Sequence, residues 1–150
     1  LHTNDAPSTI TRLQNMGTPD YLISAAVSLV LGQRLARKNC SNCREPDPDV
    51  TPEVLKEMNF TDDQISSAKV SRGKGCSSCK DSGYKGRMGI YEILSVTKPI
   101  KEAILKKATT PELKAIALKE GFRTMQDMGR TLILSGDLNF REFDRVLSME

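Results

Sequence analysis

The sequence predicts an α+β chain, mainly helical, with a lobe folded around a bound zinc and a helical bundle after it. Three observations carry that expectation. All four cysteines fall in two short pairs, Cys40-Ser-Asn-Cys43 and Cys76-Ser-Ser-Cys79. Capping signals followed by apolar residues at helical spacing occupy most of the chain outside the pairs. A glycine-marked stretch after the second pair leads into a strand from Met88 to Val96.

Taken in order, Leu1 to Thr3 reads as the end of a strand, followed by a turn at Asn4-Asp5. Asp5 can cap a helix with Pro7 in its first turn, running to Met16 and ending at Gly17. Thr18 then caps a second helix with Pro19 at its first position. From Tyr21 to Gln33 this helix carries no charge, and Leu22, Ile23, Val27, Leu29, Val30 and Leu31 surround it. Such a helix is expected to be buried in a larger domain, and in this chain by itself part of its surface should be exposed. A short strand, Leu35 to Arg37, leads into Cys40.

Glu45-Pro-Asp-Pro-Asp49 reads as a rigid polar linker. Thr51-Pro52-Glu53 opens a short helix to about Met58, and Thr61-x-x-Gln64 is a capping box for another. Gly73-Lys74-Gly75 lacks the G-x4-G-K-[ST] spacing of a phosphate loop. Beyond Val96 the chain is helical. Ile100, Ala103 and Ile104 line one helix, and Leu113, Ile116 and Ala117 the next, which ends before Gly121. Met125, Met128 and Leu132 line a third, stopped at Gly136. Asn139-x-x-Glu142 caps the last, with Phe140, Phe143, Val146 and Leu147 on its inner face.

A C-x-x-C turn sets two thiolates about 3.5–4 Å apart, the edge of a sulfur tetrahedron around zinc. Cys40, Cys43, Cys76 and Cys79 supply all four corners. The 32 residues between the pairs exceed the roughly 15–20 of the common pattern. Closing such a loop costs on the order of 3 kcal/mol plus a constant. Structural zinc contributes roughly 10–16 kcal/mol, which offsets it. Two disulfides or a redox dithiol are the lesser alternatives. Four thiolates on Zn2+ carry a net 2−, and Arg37, Lys38, Arg44, Lys74, Lys80, Lys85 and Arg87 flank the pairs as candidate counter-charges.

Twenty-two basic and 19 acidic residues give a formal charge of +3, which falls to +1 with zinc on four thiolates. The charges are mixed, Trp is absent and aromatics are only 5%, so neither a phosphate-binding face nor a base-stacking platform is evident. A free-standing zinc module on nucleic acid is therefore the weaker functional reading. Confinement of cysteine to metal-like pairs suggests a reducing compartment, the cytosol. No apolar run approaches the ~20 residues of a membrane span.

The opening Leu1-His-Thr-Asn-Asp-Ala6, Gln33-Arg-Leu35 and the run from Gly75-Cys76 through Gly83-Tyr-Lys-Gly-Arg-Met-Gly-Ile-Tyr-Glu92 resemble the C-terminal part of secretion ATPases. These are the motors of type IV pilus assembly and type II secretion. Retraction ATPases, close relatives, generally lack the four cysteines, which favours the assembly or secretion branch. The resemblance implies that residues 1–38 are the tail of a RecA-like ATPase domain, 39–86 the zinc-binding subdomain and 87–150 a C-terminal helical subdomain. It implies a cytoplasmic homo-hexamer at the bacterial inner membrane, touching neighbouring subunits and a membrane platform protein. It also places His2 in a histidine box near the γ-phosphate; without it, a lone His2 is a surface residue or a tag remnant. The family's phosphate loop, its Lys and its catalytic acids lie upstream of these motifs. ATP and Mg2+ are thus expected only in the longer parent, and this chain should be inactive alone. Asn39 stands where the family usually has an apolar residue, a departure that bears on the packing beside Cys40.

Overall fold

The computed structural model describes residues 3–147, so His2 lies outside the described residues. Two compact units form, and each draws on two stretches of chain. The first ends at Gln33 and resumes over Tyr91–Met125; the second runs over Arg34–Ile90 and resumes at Gln126.

In the first unit, α1 (Ala6–Asn15) starts as its sequence requires. The Asp5 carboxylate accepts from Ser8 N at 2.8 Å, Pro7 fills the first turn, and Gly17 follows the C-cap Met16. Helices α2 (Asp20–Ala26), α5 (Lys98–Leu105) and α6 (Thr110–Lys119) pack with it. Ile10, Ile23, Val30, Leu94, Ile100, Ile104 and Leu113 form the core. Each such side chain contributes roughly 1.5–3 kcal/mol on burial. The start of α1 is also fixed from a distance. The buried Glu92 carboxylate accepts from Ala6 N, and from Met125 N at 3.0 Å, the first residues of α1 and of α7 (Met125–Leu134). Burial raises the Glu92 pKa, and these two amide donors counter part of that rise.

The second helix is shorter than expected. It stops at Ala26, its N-cap position is Pro19 rather than Thr18, and no side chain caps it. Residues Leu29–Asn39 form strand β1 instead, which absorbs the short strand expected at Leu35 to Arg37. A short apolar run does not by itself distinguish helix from strand. The partner decides here. β1 pairs with β4 (Tyr84–Ser95). Val96 N donates to Ser28 O at one end and Cys40 N to Gly83 O at the other, both at 2.9 Å, so the strands run antiparallel. In β4 the alternation is clean, with Ile90, Glu92 and Leu94 buried and Tyr91 and Ile93 exposed.

In the second unit, β2 (Arg44–Pro46) pairs antiparallel with β3 (Ser71–Gly73), in register Arg44↔Gly73. Glu45-Pro46, expected as linker, is therefore strand. Between these strands lie α3 (Pro52–Glu57) and α4 (Asp62–Ser67), the latter closed by the reciprocal Thr61–Gln64 bonds. Helix α7 then meets α8 (Phe140–Leu147) at Gly129. A Cβ there would stand 2.5 Å from Leu147 and 2.7 Å from Phe143, so only glycine permits the approach. Among the described residues no helix is long and apolar enough to cross a membrane.

The apolar stretch from Tyr21 is partly exposed in this chain by itself, as expected. Of α2 only Ile23 and Ser24 are buried, whereas Tyr21, Leu22, Leu29, Leu31 and Ile93 are exposed. Exposed apolar surface of this kind drives association. The isolated chain is expected to self-associate at micromolar concentration. Leu31→Glu should weaken that association while changing stability by less than about 0.5 kcal/mol, because the side chain is already in water. Sedimentation velocity on both proteins checks this, and an unchanged distribution in the variant rejects it.

Candidate metal centre

The two cysteine pairs are brought together. Cys40 follows the last residue of β1, Cys43 precedes β2, and Cys76 and Cys79 bracket a single 3-10 turn. All four sulfurs lie within 4.8 Å of one another. Cys40 to Cys76 measures 4.0 Å, Cys43 to Cys79 3.9 Å and Cys76 to Cys79 3.7 Å. These are tetrahedral edges for sulfur at about 2.3 Å from a metal. They are far from the ~2.05 Å of a disulfide, and all four thiols are free.

The donors around the sulfurs fit an anionic cluster. Gly75 N donates to Cys43 Sγ, and Cys76 N and Gly83 N both donate to Cys79 Sγ, each at 3.3 Å. Burial alone would raise the Cys79 thiol, but the amides of Cys76 and Gly83 outweigh it and bring it to about 6. Burial pushes Cys43 the other way, up to about 12.

Several of the flanking cations are used elsewhere. Among the described residues, the hydrogen bonds to sulfur from outside the four cysteine side chains are from backbone amides. Lys38 and Arg44 pair with Asp137 at 3.4 and 3.3 Å, and Lys85 donates to Ser78 Oγ. Gly73 has a further task. A Cβ on it would overlap the carbonyl of Gly83, so two backbones touch beside the sulfurs and both positions exclude side chains. The rejection of a phosphate loop here thus acquires a positive reason for the glycine.

Asn39, the departure from the family's apolar residue, matters most for the site. It is 2% exposed and fully engaged. Its amide nitrogen donates to Ser71 O at 2.8 Å and Gly136 O at 2.9 Å, its oxygen accepts from Asn139 Nδ2 at 3.0 Å, and its backbone N donates to Asp137 O. A polar residue therefore ties the residue before Cys40 to β3 and to the α7–α8 turn. No periodicity signals it.

Glu142 was also only half legible. Asn139 caps α8 as expected, accepting from Glu142 N at 2.9 Å. The Glu142 carboxylate does not complete a capping box. It is wholly buried and accepts from Arg37 N, from Arg37 Nε and Nη2 at 3.0 and 2.7 Å, and from Arg145 Nε at 2.9 Å. Burial would raise this carboxyl, but Arg145 and Arg37 overcome that and hold it at about 2.

With the geometry established, resemblances become informative. Residues 1–145 match the family described as type II/IV secretion system protein. The chain is 39% identical over 146 residues to the type IV pilus assembly ATPase PilB of Pseudomonas aeruginosa, covering 97% of this chain and 25% of that one. It is 41% identical over 143 residues to PilB of Thermus thermophilus, covering 95% of this chain and 16% of that one. Against type II secretion system protein E of Aeromonas hydrophila it is 33% identical over 147 residues, covering 97% of this chain and 28% of that one. The chain thus spans between 16% and 28% of the length of these relatives.

Because the folded carboxyl of Glu142 lies near 2, below the ordinary ~4.3 of an unfolded chain, its contribution is present above about pH 4.3. It is lost as pH falls towards 2. At neutral pH, Glu142→Gln should destabilise the fold by about 1–3 kcal/mol. The difference between parent and variant should shrink as pH falls from about 4.5 to 2. Denaturant titrations of both proteins across that range measure the difference.

Proposed function

Because the chain belongs to the type II/IV secretion system protein family, we propose that it is the metal-bearing part of a motor ATPase for type IV pilus assembly or type II secretion. The observation that carries the reading is the gathering of four sulfurs within 4.8 Å, inside a chain that matches this family over residues 1–145. Cys40, Cys43, Cys76 and Cys79 would hold Zn2+. A four-sulfur site leaves no open position, so the ion supplies a cross-link and no chemistry at substrate.

The role follows from what the cross-link joins. β1 and β4 enter the sulfur cluster directly, and Asn39 carries the same connection to α7 and α8. Force or contact at the lobe of residues 39–86 is thereby transmitted into a stiff element. In the longer protein, residues 1–38 would complete the RecA-like domain, and the segment 87–150 would follow as the helical subdomain. The assembled motor is a homo-hexamer on the cytoplasmic side of the inner membrane, engaging neighbouring subunits and a platform protein. ATP and Mg2+ bind in the preceding part of that protein, with His2 reaching the γ-phosphate.

Two expected outcomes test this. Purified chain should carry about one zinc per molecule by elemental analysis, as a single four-thiolate site requires. Cys76→Ser should release it and loosen the lobe, while the first unit keeps its helical signal. Folded protein with four reactive thiols and no metal contradicts the assignment.

The chain by itself should not turn over ATP, because one imidazole does not replace a phosphate cradle and Mg2+. In the full-length protein, His2→Ala should lower turnover more than nucleotide affinity. Steady-state hydrolysis and ADP binding on chain, parent and variant decide it; an unaltered rate in the variant removes His2 from the mechanism.

A further inference from the structure

One cluster in the second unit is explained neither by metal nor by nucleotide. Leu35, Ala36, Arg37, Arg87 and Arg145 line a cleft of about 430 Å³. That volume lies within the range of small-molecule sites. Three arginines line it, and the Glu142 carboxylate, 0% exposed, pairs with two of them.

The arginines are held in place in a way that leaves donors free. The Arg37 guanidinium is fixed along one edge by Glu142 and on its face by the Tyr84 ring, 4.1 Å from the ring centroid. Tyr84 is in turn tethered to Asn139 through its hydroxyl. Arg145 meets Glu142 through Nε and Nη2. Both side chains remain about half exposed, 48% and 54%, so their other nitrogens face the cleft and solvent. The Arg87 side chain is exposed, and among the described residues no hydrogen bond or ion pair holds it. Structural ion pairing accounts for Arg37 and Arg145 on Glu142, but it leaves Arg87 without a role.

We infer that this cleft binds a phosphate monoester through Arg37, Arg87 and Arg145. The charge argument selects the ligand. Three guanidiniums over one carboxylate leave two positive charges, the match for a phosphate dianion rather than a single carboxylate. Guanidinium forks fit phosphate oxygens in pairs, and prior fixation of Arg37 and Arg145 lowers the ordering cost of binding. A cleft of this size exceeds a bare phosphate, and the exposed side chain of Leu35 offers an apolar wall for the ester's organic part. The same group reaches a protein as a free ester or as a lipid headgroup.

The test uses the whole chain with its metal retained. Inorganic phosphate and phenyl phosphate are titrated by calorimetry, and vesicles of phosphatidylcholine with and without phosphatidic acid are tested by co-sedimentation. Arg87→Ala removes a side chain that holds nothing else, so folding is preserved. It should weaken binding about tenfold, as loss of a charge-assisted contact does. Arg141→Ala, an exposed position of α8 outside the cleft lining, should leave it unchanged. Arg87-dependent binding of phenyl phosphate identifies a free ester as the source. Arg87-dependent binding of the phosphatidic acid vesicles alone identifies a headgroup. Equal losses in both variants, or no binding of any probe at millimolar concentration, overturn the inference.

Discussion

The meeting of two distant sulfur pairs is the constraint on which the second unit depends. The excursion between them has little to hold it by itself. Helix α4 buries no residue at all, and α3 with the following turn contributes Leu55 and Phe60. Burial of two such side chains yields a few kcal/mol. Ordering the backbone costs roughly 1–2 kcal/mol for each residue fixed. Hydrogen bonds and two short strands do not close a gap of that size. A metal held by the four sulfurs, as proposed above, would offset part of it by removing freedom from the unfolded chain and by contributing its own binding energy.

Around that base the fold relies on buried polar side chains that reach across long sequence separations. Asn39 and Asn139 join across 100 residues, and Arg37 and Glu142 across 105. Glu92 holds the first turns of two helices that begin at residues 6 and 125. Each of these groups is costly to bury alone and is fully partnered here, so each specifies one arrangement rather than merely adding stability. In the second unit they converge on the residue before Cys40 and on the strand that leads to it. The sulfur positions are thus set from behind by amides and carboxylates as much as by the cysteine spacing.

Local chemistry was readable in the sequence, and tertiary choice was not. Asp5, Thr61 and Asn139 cap helices as their spacing requires, and Gly17, Gly121 and Gly136 end them, because capping is decided within a few residues. The cysteine pairs were equally legible. The run from Leu29 to Gln33 was misread because its strand identity depends on hydrogen bonds to β4, some 60 residues away. Asn39 and Glu142 carried no signal of their depth, since burial of a polar group depends on partners that only the fold supplies. Glu45-Pro46 resembled a linker until Ser71 and Arg72 were placed beside it.

The β2–β3 ladder has a consequence for protein engineering. It closes the neck of the excursion at Arg44↔Gly73, so residues 47–70 hang from a fixed base while the sulfurs sit below it. At the far end Asn59 already adopts a left-handed turn, with φ of 62°, between α3 and α4. Lengthening a loop costs only about 0.6 kcal/mol for each doubling. A fluorescent or affinity tag spliced in at this tip leaves both ends of the neck at their present separation. The excursion is therefore a natural handle for labelling the chain without moving the cysteines.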